Sequence, residues 1–336
     1  MKVLVLGGTR FVGRALVTDA LARGDDVTVV SRGDSGPPPD GAGWVRGERT
    51  EPETLRSLTS DRWDAVVDTW DGDPAAVEQS AAALANRASW YGYVSSRSVY
   101  RWPFEPGSDE SAPVVEAEPE GGYPAYKRGG ELAVLRHFAG RSMLARAGLI
   151  LGPHEDAGRL TWWLQRAAQG GCLVAPEPAE RVMQLVDARD LAAFILGGAH
   201  AGVAGAFNVV CPRAAAFTTR RLVEACAEVT GAGAEPVWVP ERVLRRAGVA
   251  EWDDLPGWIP EDSEGAGMHD CDVSAALAHG LTWRPLEQTV ADTWAWMQTL
   301  PPRARRPLRP GLPRRGLSAE QEQAIWWLMA NPRNRS

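Results

Sequence analysis

Lysine is nearly absent from this chain. Of its 36 basic residues only Lys2 and Lys127 are lysines. Wherever a generic cation serves, the chain uses arginine, so a mid-chain lysine points to something a compact, titratable ammonium does and a guanidinium does not. Cysteine is scarce as well. Cys172, Cys211, Cys226 and Cys271 are scattered without CxxC spacing among only five histidines, which predicts no disulfide framework and no metal site. No apolar run reaches membrane-spanning length, and Met1 leads straight into a strand pattern without a charged leader and an apolar core. A cytoplasmic protein with no membrane partner is expected. Net positive charge is lacking too: at -7, with a pI near 5.4, the chain offers no broad electropositive face, and nucleic acid is not an expected partner. The local exception is a Pro-rich stretch with Arg303, Arg305, Arg306, Arg309, Arg314 and Arg315, which reads as a solvated linker.

What is present is enough apolar material, 44% of 336 residues, for one large or two modest domains. In the first half, short apolar runs alternate with helical patterns, the mark of βαβ units and a parallel sheet. Strands are predicted at residues 2–6, 27–30, 44–46, 65–67, 91–95 and 143–147. Helices are predicted after residue 10, from about 74 to 88 and from about 123. The expected fold class is α/β, a doubly wound parallel sheet with a smaller, interleaved C-terminal substrate-binding lobe. A dinucleotide-binding domain spans 1–150 with returning segments at about 183–212. The lobe takes 151–182 and 213–300. A linker and a helix N-capped by Ser318 complete 301–336.

Directly after the first strand comes Gly7-Gly8-Thr9-Arg10-Phe11-Val12-Gly13, opening a helix. Such a loop turns tightly and brings backbone N–H groups and the positive helix end onto a pyrophosphate. Further on, Tyr123-Pro124-Ala125-Tyr126-Lys127 places a phenol and an ammonium four residues apart, on one helix face. A free phenol has a pKa near 10 and shuttles protons poorly at neutral pH, and a neighbouring ammonium brings it towards the working range. Tyr126 and Tyr100 have no lysine four positions on and read as packing residues.

These two motifs, with Tyr93-Val94-Ser95-Ser96-Arg97-Ser98-Val99-Tyr100 between them, resemble the extended short-chain dehydrogenases/reductases over residues 1 to 298. The resemblance implies a Rossmann-like fold, a nicotinamide cofactor and a catalytic set of Ser96, Tyr123 and Lys127, with Ser96 polarising the substrate oxygen and Lys127 also holding the nicotinamide ribose. It implies cofactor contacts from Gly7, Thr9, Arg10, Phe11, Val12, Gly13, Arg32, Glu48, Tyr123 and Lys127. Arg10 stands where the family's glycine pattern has its middle glycine. Arg32 ends the second strand where NAD-preferring members carry an acid, so NADP(H) is the expected cofactor, with NAD(H) as the alternative. Ser95 and Ser98 are expected to bond local backbone.

Two positions narrow the chemistry. Arg97 and Ser98 stand where sugar-nucleotide dehydratases of this family carry an Asp-Glu pair, which argues against dehydration. Leu149 stands where nucleotide-sugar epimerases offer an asparagine, and residues 251–264 carry six acids and no basic residue, a repulsive face for a diphosphate. The expected function is therefore hydride transfer at a secondary alcohol or ketone of a small metabolite that is not a nucleotide diphosphate sugar. An epimerase using transient oxidation and a non-catalytic dinucleotide-binding scaffold are the alternatives. Trp162, Trp163, Trp238, Trp252 and Trp258 are candidates for a pocket wall or for ordinary core. By resemblance, the helix after residue 74 and the one from Tyr123 form a four-helix interface in a homodimer.

Overall fold

The computed structural model describes residues 1–118, 120–301, 309, 312 and 315–331. The chain divides into two compact units, one of residues 1–150, 186–211 and 271–283, the other of residues 151–185, 212–270 and 284–336.

The first unit begins with β1 (Lys2–Leu6), α1 (Phe11–Ala22), β2 (Asp26–Ser31) and β3 (Gly43–Arg46). It continues through α2 (Pro52–Thr59), β4 (Trp63–Asp68), α3 (Ala75–Leu84), β5 (Ala88–Ser96) and α4 (Gly122–Phe138) to β6 (Ser142–Ala147) and β7 (Leu149–Leu151). The second unit opens with α5 (Leu160–Ala167) and β8 (Gly171–Pro176), and the chain then returns through β9 (Leu185–Asp187) to α6 (Ala188–Ala201) and β10 (Gly205–Val209). After that come α7 (Thr219–Thr230), β11 (Ala234–Val239), α8 (Glu241–Arg246), α9 (Ser274–Ala278), α10 (Leu286–Thr299) and α11 (Ala319–Ala330).

Seven strands form one wholly parallel sheet in the order β10-β6-β5-β4-β1-β2-β3. The order reverses between β1 and β4, the place where a doubly wound sheet opens a crevice at its carboxyl ends. Strand alternation explains both faces. Val3 and Val5 point to a cluster with Leu16, Val17, Leu191 and Ile195, while Leu4 and Leu6 join Val77, Leu84, Val134 and Phe138 on the other side. Each such side chain, fully buried, stabilises the fold by about 1.5–3 kcal/mol.

Several expectations are corrected here. Residues 271–283, assigned to the lobe, return to the sheet unit, with Ala276 and Leu281 in its core. The second unit holds a parallel ladder, β8 with β11, that the irregular pattern concealed. Of the basic stretch, Arg303, Arg305, Arg306 and Arg314 lie outside the described residues. Arg315 is no solvated linker residue, because it donates to the Ala157 carbonyl at 3.0 Å and pairs with Asp253. α11 carries a capping box in which Ser318 accepts from Gln321 N–H and the Gln321 side chain reaches back. No helix among the described residues is long and apolar enough to cross a membrane.

Close packing of α4 on β5 yields a stability test. A Cβ at Gly130 would lie 2.3 Å from the hydroxyl of Tyr93, a ring fully buried in the sheet, whereas one at Gly197 in α6 meets nothing within 4 Å. Gly130→Ala is expected to cost about 1–3 kcal/mol in urea unfolding. Gly197→Ala is expected to stabilise by about 0.5–1 kcal/mol. A Gly130→Ala protein as stable as the parent would show that this helix and strand can separate without loss.

Candidate functional site

The glycine loop joins β1 to α1 at the carboxyl edge of the sheet. Gly7 has φ +99°, a conformation glycine adopts freely, and a Cβ there would lie 2.4 Å from the Thr69 hydroxyl. A Cβ at Gly13 would lie 1.9 Å from the Gly7 carbonyl oxygen, so the first turn of α1 rests directly on the loop. Arg10 is the N-cap residue with extended backbone, φ −121°, which any residue adopts. The backbone at this position therefore does not require glycine. Gly8 is the glycine that sequence reasoning passed over: Val17 and Val29 fill the space its Cβ would need. The first turn of α1 has no acidic residue to cancel the positive helix end. A tight glycine turn packed directly against the start of α1, at a helix terminus with no acidic residue in its first turn, fits a dinucleotide pyrophosphate.

Arg32 and Glu48 come together at the ends of β2 and β3, 3.8 Å apart, and Arg32 also pairs with Asp34 at 3.2 Å. All three side chains keep contact with solvent. The charge expected to await a 2′-phosphate is thus already shared with two carboxylates.

The catalytic candidates lie on β5 and α4. Lys127 is buried, 2% exposed, and its ammonium donates to the carbonyls of Trp70 at 2.6 Å and Val94 at 2.7 Å. It sits 6.0 Å from the ring centroid of Tyr123, which is 47% exposed, and 4.8 Å from that of Tyr93. Burying an ammonium is costly unless its N–H groups are bonded, and these carbonyls supply the bonds. Ser96 ends β5 two residues beyond Val94. Its hydroxyl accepts from Ser98 N–H at 3.1 Å and lies 3.1 Å from the Ser98 hydroxyl. Arg97 is fully buried and donates to Cys271 Sγ at 3.0 Å, so nothing at that position replaces the dehydratase acid.

Two buried polar networks flank these residues. At the end of β4, Arg49 meets Asp68 in two 2.6 Å bonds, and Asp68 also accepts from the Tyr91 hydroxyl at 2.7 Å and Trp70 N–H at 2.9 Å. Burial alone would raise the Asp68 carboxyl, but the Arg49 guanidinium and these hydrogen bonds outweigh it and hold the group below the usual carboxylate range. Arg49 is raised in turn, its pairing with Asp68 overcoming burial. Beside it, Glu131 of α4 takes Ser95, Arg128 and Arg146, and Arg146 reaches the Tyr100 hydroxyl, which donates to Asn208. Burial, partly offset by Arg146, pushes the Tyr100 phenol up to about 12. Ser95 therefore serves Glu131 rather than local backbone, and Tyr100 does more than pack.

The second unit corrects the electrostatic argument drawn from residues 251–264. Asp253 pairs with Arg315, Asp262 with Arg245, and Glu261 lies 3.9 Å from Arg181. Asp254 accepts from Ala250 N–H and the Gln321 amide, and Glu251 from Ser263. Five of the six acids are thus partnered, three of them by arginine, so about half of the supposed repulsive charge is balanced locally. Trp163 and Trp258 are core of this unit, while Trp238 and Trp252 lie under Arg220 and Arg159.

Residues 3–209 match the family model of the NAD dependent epimerase/dehydratase family. The chain is similar to a dTDP-6-deoxy-L-talose 4-dehydrogenase (NAD(P)(+)) of Kitasatospora kifunensis, 26% identical over 333 residues that cover 89% of this chain and 96% of the relative. Among solved structures it resembles the Bordetella bronchiseptica enzyme WbmH in complex with NAD+, at 18% identity and TM-score 0.68, covering 88% of this chain and 98% of that one. A Thermus thermophilus UDP-glucose 4-epimerase complex with NAD gives 21% identity and TM-score 0.62 over 88% and 98%. These structural likenesses show the fold.

The Asp68 network carries a pH dependence. Because the carboxyl titrates lower in the folded than in the unfolded chain, its contribution to stability is complete above the unfolded value of about 3.9 and is lost as pH falls towards the folded value. Urea-unfolding stability is expected to fall below about pH 4 more steeply in the parent than in an Asp68→Asn, Arg49→Met double variant. Identical slopes would mean that Asp68 titrates alike in both states.

Proposed function

Because this chain belongs to the NAD dependent epimerase/dehydratase family, we propose that it is an NAD(P)-dependent enzyme transferring hydride at a secondary alcohol or ketone, with Tyr123, Lys127 and Ser96 as its catalytic residues. When bound, the nicotinamide supplies the hydride acceptor or donor. Tyr123 gives a proton to the substrate oxygen in reduction and takes one in oxidation. Lys127 favours the phenolate by its charge, and the Ser96 hydroxyl holds the oxygen in place. The observation that carries this reading is Lys127 itself, withdrawn from water by two carbonyls and set beside an exposed phenol on the same helix.

The substrate class widens from the one first expected. A nucleotide diphosphate was disfavoured partly by an uncancelled acidic field, and arginines partner three of those six acids. The Kitasatospora relative is named for a dTDP-linked deoxysugar, so we place sugars, free or nucleotide-linked, among the candidate alcohols and ketones. Epimerisation by transient oxidation uses the same residues and stays within the reading. A non-catalytic scaffold has no use for a buried lysine paired with a tyrosine. The second unit is assigned the substrate-binding role, and a homodimer through α3 and α4 is supported by Leu132 and Leu135, both 38% exposed on α4.

Tyr123→Phe is expected to lower turnover by about two orders of magnitude or more while cofactor affinity stays near that of the parent, measured on a panel of sugar and dTDP-sugar alcohols and ketones. Lys127→Arg is expected to fail as well, since a planar guanidinium matches neither the carbonyl pair nor the proton traffic. Near-parent turnover in Tyr123→Phe would remove the phenol from the reaction.

NADP(H) is proposed to bind more tightly than NAD(H), with Arg32 exchanging Asp34 for the 2′-phosphate. That exchange reduces the tenfold or so that one charge-assisted bond would otherwise contribute. Calorimetry is expected to find a preference below tenfold in the parent, a larger one in Asp34→Ala and its reversal in Arg32→Asp. Equal affinities throughout would mean that Arg32 does not read the phosphate.

A further inference from the structure

The segment Asp68-Thr69-Trp70 touches both halves of the candidate site. On one side the Thr69 N–H and hydroxyl donate to the Leu6 carbonyl at 3.2 and 3.1 Å, and the hydroxyl lies 3.3 Å from the Gly7 carbonyl. On the other side the Trp70 carbonyl takes Lys127 at 2.6 Å and the Tyr93 hydroxyl at 3.1 Å.

Trp70 is fixed at every other handle. Its backbone N–H donates to Asp68 Oδ1 at 2.9 Å, its indole N–H to the Asp73 carbonyl at 2.8 Å, and Arg49 lies over its ring at 5.4 Å. Asp68 is fixed in turn. Four donors engage its two oxygens, two from Arg49, one from Tyr91 and one from Trp70, and Arg49 is braced by a 3.1 Å bond from Nε to the Ser80 hydroxyl. A buried ion pair is a poor way to stabilise a core, since two apolar side chains of similar volume usually do as well or better. What such a pair does here that apolar residues cannot is accept the Trp70 N–H and hold that residue's backbone at one angle.

We propose that Asp68, braced by Arg49 and Tyr91, is a positioning residue for Lys127, acting through the Trp70 carbonyl. This inference rests on the catalytic reading of Tyr123 and Lys127 given above. The carboxylate touches neither cofactor nor substrate. It sets the direction of a carbonyl that keeps the ammonium beneath the Tyr123 ring, and through Thr69 it ties that placement to the glycine loop.

The near absence of lysine supplies a test that needs neither substrate nor cofactor. Lys127 and Lys2 are the only side-chain amines, so acetylation of the unliganded protein by an amine-selective ester reads each one separately by peptide mass spectrometry. Three proteins are compared: the parent, Asp68→Leu with Arg49→Met, and Asp68→Asn with Arg49→Met. The last removes both charges but keeps an oxygen for Trp70 N–H. Lys127 is expected to label at least about tenfold faster in the Leu/Met protein, the worth of one hydrogen bond to a charged group, and within about twofold of the parent in the Asn/Met protein. Lys2 is expected to label alike in all three. The ultraviolet titration of Tyr123, isolated by subtracting that of Tyr123→Phe, is expected to move upward in the Leu/Met protein alone, since the phenolate loses its cation.

Parent-like Lys127 labelling and an unmoved Tyr123 titration in a folded Leu/Met protein would overturn the proposal. If that variant does not fold, Tyr91→Phe, which withdraws one donor from Asp68 and keeps both charges, is expected to speed Lys127 labelling by about two- to threefold, and no change there would overturn it equally. Retained turnover in Tyr123→Phe would instead sink the catalytic reading and leave the labelling result standing, so the two failures are distinguishable.

Discussion

An ammonium withdrawn from water must be bonded where it lies, and the first unit is organised around meeting that demand for Lys127. Two carbonyls at 2.6 and 2.7 Å do so, one from the end of β5 and one from the segment leaving β4. Neither carbonyl is free to turn. Val94 is locked by its place in a central parallel strand, and Trp70 by bonds at its N–H and its indole. The helix carrying the lysine is held close by glycine at 130, where the Tyr93 hydroxyl occupies the space of a side chain. Strand order, helix approach and a buried carboxylate all converge on one nitrogen atom.

The same economy governs the carboxyl ends of the other strands. Behind these ends the sheet is apolar on both faces, as parallel sheets covered by helices must be. At or beside the ends, Asp68, Glu131 of α4 and Asn208 are buried, and each makes several hydrogen bonds to side chains or backbone. Unpaired, any of them would cost stability. Fully bonded, they fix loop directions that apolar packing leaves loose. Rigidity is thus concentrated in the layer from which the candidate site residues project.

How much of this was legible in the sequence depended on range. The strands of the parallel sheet and the glycine loop rest on local patterns: apolar runs, helical spacing and glycines whose turn the chain itself demands. Tyr123 and Lys127 were legible because they are four residues apart on one helix and because lysine is rare here. Arg49 and Asp68 were not, since they are 19 residues apart and nothing local marks either as buried. The acid ending the apolar run 65–67 was the one available signal, as an ionisable group closing a central strand needs a partner. The acidic stretch 251–264 misled for the same reason: its signs of charge were visible, but Arg245, Arg315 and Gln321 come to it from elsewhere in the chain.

Arginine does most of the pairing, and that makes the single buried lysine more informative. At Asp68, Glu131 and Glu322 a guanidinium meets a carboxylate through two nitrogens, the planar geometry for which it is suited. Lys127 donates to two carbonyl oxygens that arrive from different elements, and a tetrahedral ammonium can point separate N–H groups at both. A guanidinium in that space would have to lie in one plane, with its charge spread over three nitrogens and its proton beyond practical reach. In a chain with only two lysines, this one stands where geometry and proton exchange, rather than charge alone, decide what the residue can do.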